Sequence, residues 1–473
     1  MMGWGGCSLA GPYIRRRSLG LPVAPACAIG GMSTVSHPPA VSRFSSPLTM
    51  SHRFPLHCLA LWLAAIALPG WGATPKAPQG GVKVMHWWVA GGERASMNAV
   101  RDHALLNGVG WAEHSSAGSG TARYTEALAR RRLGPEAPTV AQMIGFEIHA
   151  WARKGLLENL DDIAMREEWD EVVPMDIQRL SKWNGSWVAT PFNAHSTNWL
   201  WVNKALAQQL GAAQAPDGWA DLIALLDKAK ASGVLPLAIG HEAWEHTLLF
   251  ESVAVGVGGA QFYRKAFIDL DPGVLDEARL TLIFDRMKQL AGYLGPRFPT
   301  RRWDEATTLV SRGEALLQVQ GSWVDGEFTA MGLAPGREYV CWRFPDTQGV
   351  YLFNSDQFVF LRQPQGRQPA QAAFATVVMG PALQEDVNLR TGAAPARVDV
   401  SNQRFNSCGR RNITDMRNAN MRRAMMGSIA MGNANPPAVK TAIYEVVSRH
   451  FKGELNTPDA VKALRGAIAQ ASR

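Results

Sequence analysis

The chain has 473 residues, of which 47% are hydrophobic, 19% charged and 9% aromatic, with a formal net charge of +8. This composition fits a globular protein of two or three domains and excludes a low-complexity or fibrous chain. The basic excess is scattered, as at Arg130-Arg131-Arg132 and Arg410-Arg411, with no basic face interleaved with aromatics, which excludes nucleic acid as a partner.

Residues 1–49 read as a non-native upstream segment with Met50 as the true start. The run FPLHCLALWLAAIALPGWGA follows His52-Arg53 and ends in small residues near Ala73. It combines a basic flank, an apolar stretch and a cleavage site, and is too short and too Pro/Gly-terminated to span a membrane. Residues 50–73 are therefore expected to be a signal peptide, and 74–473 a mature protein exported to the periplasm. Of the five cysteines, Cys7, Cys27 and Cys58 precede the cut, and Cys341 and Cys408 follow it. An even pair in an oxidising compartment argues for one disulfide, the alternative being two free buried thiols.

Past residue 81 strands and helices alternate. VKVMHWWV predicts a strand, SMNAVRDHALLNG and TARYTEALARRRL two helices, and PTVAQMIG a short buried strand. EIHAWARKGLLENL predicts a helix with Trp151, Leu156 and Leu160 at core spacing. WVATPFNAHSTNWLWVNKALA passes from strand to strand and then into a helix. WADLIALLDKAKASG predicts a helix and LPLAIG a strand. After Gly256 helices are expected to lengthen and strands to thin out. The rhythm predicts α/β layers with largely parallel sheets, in two closely connected lobes.

No GxSxG, HExxH, P-loop or CxxC motif is present. His86, His195, His241 and His246 lack metal-ligand spacing, and His86 and His241 read as satisfied core histidines. No metal or cofactor is expected. The most unusual feature is Trp87-Trp88, followed by Gly91-Gly92 and Glu93. Indole faces beside a carboxylate suit a pyranose, whose C–H faces stack on the rings while its hydroxyls bond the acid. The alternative is that one ring belongs to the core. Glu93 and Asp356 also leave open an exported glycoside hydrolase using two carboxylates across a cleft.

Seven stretches, in order, resemble the periplasmic sugar-binding receptors of ABC transporters: solute-binding family 1, in its glucose/mannose-binding branch. They are VMHWWVAGGE, TPFNAHSTNWLWVNKALA, HEAWEHTLLFESV, RRWDEATTLVSRGEALLQVQGSW, YLFNSDQFVF, APARVDV and SIAMGNANPPAV. The resemblance implies an α/β, two-lobed periplasmic-binding-protein fold of type II with an interlobe ligand cleft and a hinge of two or three crossing segments. It implies lobe 1 near 82–190 plus 345–395, and lobe 2 near 195–338 plus 400–473. It implies a non-catalytic receptor that closes on a small sugar ligand and docks on an inner-membrane permease, with a monomer as the expected state. A sugar-sensing receptor subunit is a further alternative. Cys341 and Cys408 fall where this branch has a structural disulfide. The ligand-binding residues expected are Trp87, Trp88, Glu93, His195, Trp244 and Asp356; Trp323 is read as core rather than a ligand contact, and Trp303 is ambiguous in the same way. Ile144, Thr391, Met431 and Ser322 stand where glucose-binding relatives carry polar or charged partners, which leaves open a different sugar, a methylated or deoxy sugar, or a weakly bound one.

Overall fold

The computed structural model describes residues 80–117, 122–134 and 136–471. The expected upstream segment and signal peptide lie outside the described residues. No helix among the described residues is long and apolar enough to cross a membrane.

In the strand Gly81–His86, Val82 and Val84 point into the core, as period-two alternation requires. The strand is the second in a five-stranded sheet ordered Gly110–Ser115, Gly81–His86, Val140–Ile144, Asp356–Phe360, Ala189–Pro191. A second sheet, of four strands, runs Tyr339–Arg343, Trp199–Asn203, Ala315–Gln320, Leu235–Ala238. Both sheets are mixed, which corrects the expectation of largely parallel strands. Asp356–Phe360 returns antiparallel to both its neighbours, and Trp199–Asn203 is antiparallel to both of its own. Among the described residues strands do thin out after Gly256: nine precede it, and only Ala315–Gln320, Tyr339–Arg343, Tyr351–Asn354, Asp356–Phe360 and Met425–Gly427 follow it. The helix expected over EIHAWARKGLLENL stops at Arg153, because Gly155 takes a positive φ and Leu157 then bridges to Leu361.

The core divides in two. One large cluster contains Val82, Val84, Met97, Phe358, Phe374 and Met416. The other contains Leu226, Phe250, Phe284, Leu317, Ile443 and Leu464. A smaller cluster around Trp199, Trp201, Val324 and Phe328 lies on the four-stranded sheet. Burial of such side chains contributes about 1.5–3 kcal/mol each. The division departs from the expected boundary at residue 400. Phe405, Ile413, Met416 and Ala419 pack into the first cluster, and the second resumes at Met426.

Three segments connect the clusters, and they pair with one another. His195–Ser196, Tyr351–Asn354 and Met425–Gly427 form a three-stranded sheet with Tyr351–Asn354 in the middle. The buried Glu251 side chain holds two of them. Its carboxylate accepts from Thr197 Oγ1 at 2.7 Å, from Ser428 Oγ at 2.7 Å and from the Ala430 N–H at 3.2 Å. Burial pushes this carboxyl up to about 7 even so, with its hydrogen bonds opposing the rise. Arg343 adds a second tie: it pairs with Asp415 at 2.6 Å, donates to Asn198 Oδ1 at 3.2 Å and lies 3.8 Å over the Trp199 ring.

Away from the hinge the two halves meet along a tight seam. A Cβ on Gly92 would lie 2.6 Å from the Gly326 carbonyl carbon, and one on Gly326 would lie 2.4 Å from the Arg390 oxygen. Only hydrogen fits there, and the helices Gly91–Leu106, Trp323–Ala330 and Pro381–Thr391 approach at backbone distance. Cys341 and Cys408 form a disulfide with a Cα–Cα distance of 6.1 Å, joining the strand Tyr339–Arg343 to the helix Ser407–Met421.

Two outcomes follow from this packing. Cys408→Ser should lower the unfolding free energy by about 2–4 kcal/mol in urea titrations, and wild type under reductant should superimpose on the variant. Gly326→Ala should hold the halves apart, read as a larger radius of gyration by small-angle X-ray scattering with unchanged far-ultraviolet circular dichroism.

Candidate functional site

A cavity is lined by Trp87, Trp88, Glu93, His195, Trp244, Trp303, Trp323, Asn354, Asp356, Thr391 and Met431. All six site residues expected from the sequence are in this set. They come from both halves: Trp87 and Trp88 pack in the first cluster and Trp244 in the second, while His195 lies in the hinge sheet.

Trp87 and Trp88 follow the last residue of the strand Gly81–His86, where the backbone leaves the sheet. They are 5% and 3% exposed, so each ring is both cavity wall and core, and the two alternatives weighed from sequence are combined in one pair of side chains. Trp87 packs edge-on to Tyr124 with centroids 4.9 Å apart, and Trp88 edge-on to Phe192 at 5.4 Å. Trp244 opens the helix Ala243–Tyr263, and its Nε1 donates to Glu242 at 2.8 Å. Trp303 and Trp323 each occupy the first turn of a helix and face the cavity. By contrast, the indole N–H groups of Trp87, Trp88, Trp303 and Trp323 donate to no protein acceptor among the described residues.

Glu93 does two jobs. It is the third residue of the helix Gly91–Leu106, and its Oε2 accepts from the N–H groups of Val89 and Ala90 at 3.1 and 3.2 Å, capping the helix. Its Oε1 makes no hydrogen bond among the described residues. Burial pushes this carboxyl up to about 8; the Ala90 N–H bond opposes the rise, and the carboxylates of Glu327 and Asp356 add to it. Asp356 is buried, accepting from Gln142 Nε2 at 2.8 Å and Asn193 Nδ2 at 3.0 Å, and burial pushes it up to about 6.

His195 is held neutral by burial, which lowers it to about 3. The Asn193 side-chain oxygen accepts from the Asp356 N–H at 2.7 Å, so its amide nitrogen faces His195 Nε2 at 3.3 Å as a donor. That assignment puts the imidazole proton on Nδ1, donating to Ser322 Oγ at 2.9 Å. Ser322 thus orients the ring from the start of the helix carrying Trp323, which packs edge-on to His195 at 5.3 Å.

Thr391 and Met431 face the cavity, whereas Ile144 does not line it and instead pairs with Asp356 across the sheet. Asn354 is a lining residue the sequence marked only within its stretch; it donates to Asp356 Oδ2 at 3.4 Å. His86 is buried, as expected, but not satisfied. Neither ring nitrogen has a hydrogen-bond partner among the described residues, and Glu113 Oε2 lies 3.8 Å away. His241 bonds the Arg301 carbonyl.

Residues 115–336 match the model of the bacterial extracellular solute-binding protein family. A probable sugar-binding periplasmic protein of Rhizobium meliloti is 42% identical over 407 residues, spanning 86% of this chain and 98% of that protein. The chain belongs to this solute-binding family. A namesake in Brucella suis is also 42% identical, over 82% of this chain and 92% of its own. Among solved structures, the bacterial solute receptor AcbH, described as exclusively preferring β-D-galactopyranose, superimposes with a TM-score of 0.70 at 16% identity, covering 84% of this chain and all of its own. Maltose-bound MalE3 of T. maritima gives a TM-score of 0.64 at 14% identity, covering 83% and 99%. The fold is therefore the two-lobed solute-receptor fold, with its lobes either side of the cavity. Membership also sets aside the hydrolase reading: these proteins bind solutes without chemistry.

The raised carboxyls set a pH dependence for this solute receptor. The unfolded chain ionises Glu93 and Asp356 near pH 4, while the native state keeps their protons to higher pH. The native state then binds more protons, so stability attributable to them is full below about pH 4 and is lost as pH rises toward about 8. Glu93→Gln keeps a capping acceptor and removes one titration. Its urea midpoint should fall less than that of wild type between about pH 5 and about pH 8.

Proposed function

We propose that this receptor binds a saccharide in the periplasm and presents it to the membrane permease of an ABC transporter. The observation that carries this is the cavity wall: indole faces from both lobes, four indole N–H donors without a protein acceptor among the described residues, and the Oε1 of Glu93, likewise open among them. A pyranose has the complementary set: apolar C–H faces for the rings, oxygens for the N–H donors, hydroxyl protons for the carboxylate. The relatives named as sugar-binding periplasmic proteins support the same ligand class and location.

In this reading lobe 1 comprises residues near 80–194 and 355–424, lobe 2 those near 199–350 and 426–471, and the hinge is the three-stranded sheet between them. Trp87, Trp88 and Trp244 stack on the sugar, with Glu93, His195 and Asp356 as its polar contacts. The receptor acts as a monomer, and closure expels water, strengthening each polar contact.

The test is a titration of the mature protein against monosaccharides and disaccharides, read by tryptophan fluorescence and thermal shift. At least one should give a saturable change. Trp88→Ala should weaken its binding about tenfold or more, ~1.4 kcal/mol, and Trp88→Phe should weaken it less. A panel in which no saccharide shifts melting or fluorescence would falsify the proposal.

A further inference from the structure

Among the described residues no lysine or arginine lines the cavity. Its lining has five tryptophans and two carboxylic acids. A third carboxylate, Glu327, lies close enough to raise Glu93 electrostatically.

The groups that satisfy these acids are neutral. Glu93 and Glu327 accept from backbone N–H groups at the start of the helix Gly91–Leu106. Asp356 accepts from the side-chain amides of Gln142, Asn193 and Asn354. His195, whose Nε2 is 3.7 Å from Asp356, is uncharged because it is buried, and that nitrogen accepts from Asn193. Burial without a counter-ion holds protons on Glu93 and Asp356, and with Glu327 beside Glu93 their ionised forms repel one another. A cation supplied by the ligand removes both penalties, and the indole faces around it attract the same charge through the ring quadrupole.

We infer that the saccharide taken by this cavity carries a protonated amine, an amino-sugar cation whose ammonium sits against the tryptophan faces beside Glu93 and Asp356. The inference rests on the saccharide reading above and narrows it. The hydroxyl oxygens of the same ring are left to the unpartnered indole N–H groups. A neutral hexose or an N-acetylated sugar brings no counter-ion, and a uronate brings the wrong charge.

The experiment is calorimetric titration of the wild-type mature protein, at low salt and neutral pH, with glucosamine, galactosamine, N-acetylglucosamine, glucose and galactose. One amine should bind about tenfold or more tighter than its neutral parent and its N-acetyl form, and added salt should weaken the amine selectively. In a Glu93→Gln, Asp356→Asn double variant the ratio of amine to parent affinity should fall about tenfold, a comparison made within one protein and so insensitive to its stability. If a neutral parent binds as tightly as its amine, the cation inference is overturned while the saccharide reading stands. If the ratio is unchanged in the double variant, the assignment to these carboxyls is overturned. If neither amines nor neutral sugars bind, both readings fall.

Discussion

The structure depends on one charged contact across the seam. Glu327, on the short helix Trp323–Ala330, places its two oxygens 3.0 and 2.8 Å from the N–H groups of Gly91 and Gly92, which open the helix Gly91–Leu106 in the other half. Those N–H groups are helix-terminal donors without an intrahelical acceptor, so a carboxylate there is favoured by hydrogen bonding and by the helix dipole together. The contact needs two backbones at near-contact distance, which is why glycine stands at both 92 and 326. Everything at the cavity follows from that closure. The same short helix begins with Trp323, and Ser322 just before it orients His195. The same helix N-terminus holds Glu93.

Much of this was legible in the chain, for identifiable reasons. Trp87-Trp88 stood out because two large rings stand side by side at a strand end, just before Gly91-Gly92 and an acid. Pairing Cys341 with Cys408 followed from counting. The six expected site residues needed the family resemblance to be collected from positions 87 to 356 into one place.

What stayed hidden depends on tertiary geometry. Trp303 and Trp323 each begin a helix, and which way a first-turn side chain faces is decided by the neighbouring lobe. Strand direction was misread because Asp356–Phe360 returns from the other lobe, and local alternation is the same for a strand of either sense. Glu93 read as an open acceptor, yet half of its capacity belongs to a helix cap that the sequence shows only as an acid near Gly91. The lobe boundary was misplaced because the helix Ser407–Met421 has core residues on one side of the hinge and its cysteine on the other.

That helix has a mechanical consequence. It rests on the hinge sheet, its Phe405–Ala419 stretch packed into the first core, while Cys408 is bolted to a strand of the second. Any swing of one lobe must pivot close to that bolt, because the sulfurs cannot part. A rotation about the three-stranded sheet would travel least beside the disulfide and farthest at the glycine seam. In the proposed function this puts the opening for solute on the seam side, where a transporter docked over both lobe tips would sense the full travel.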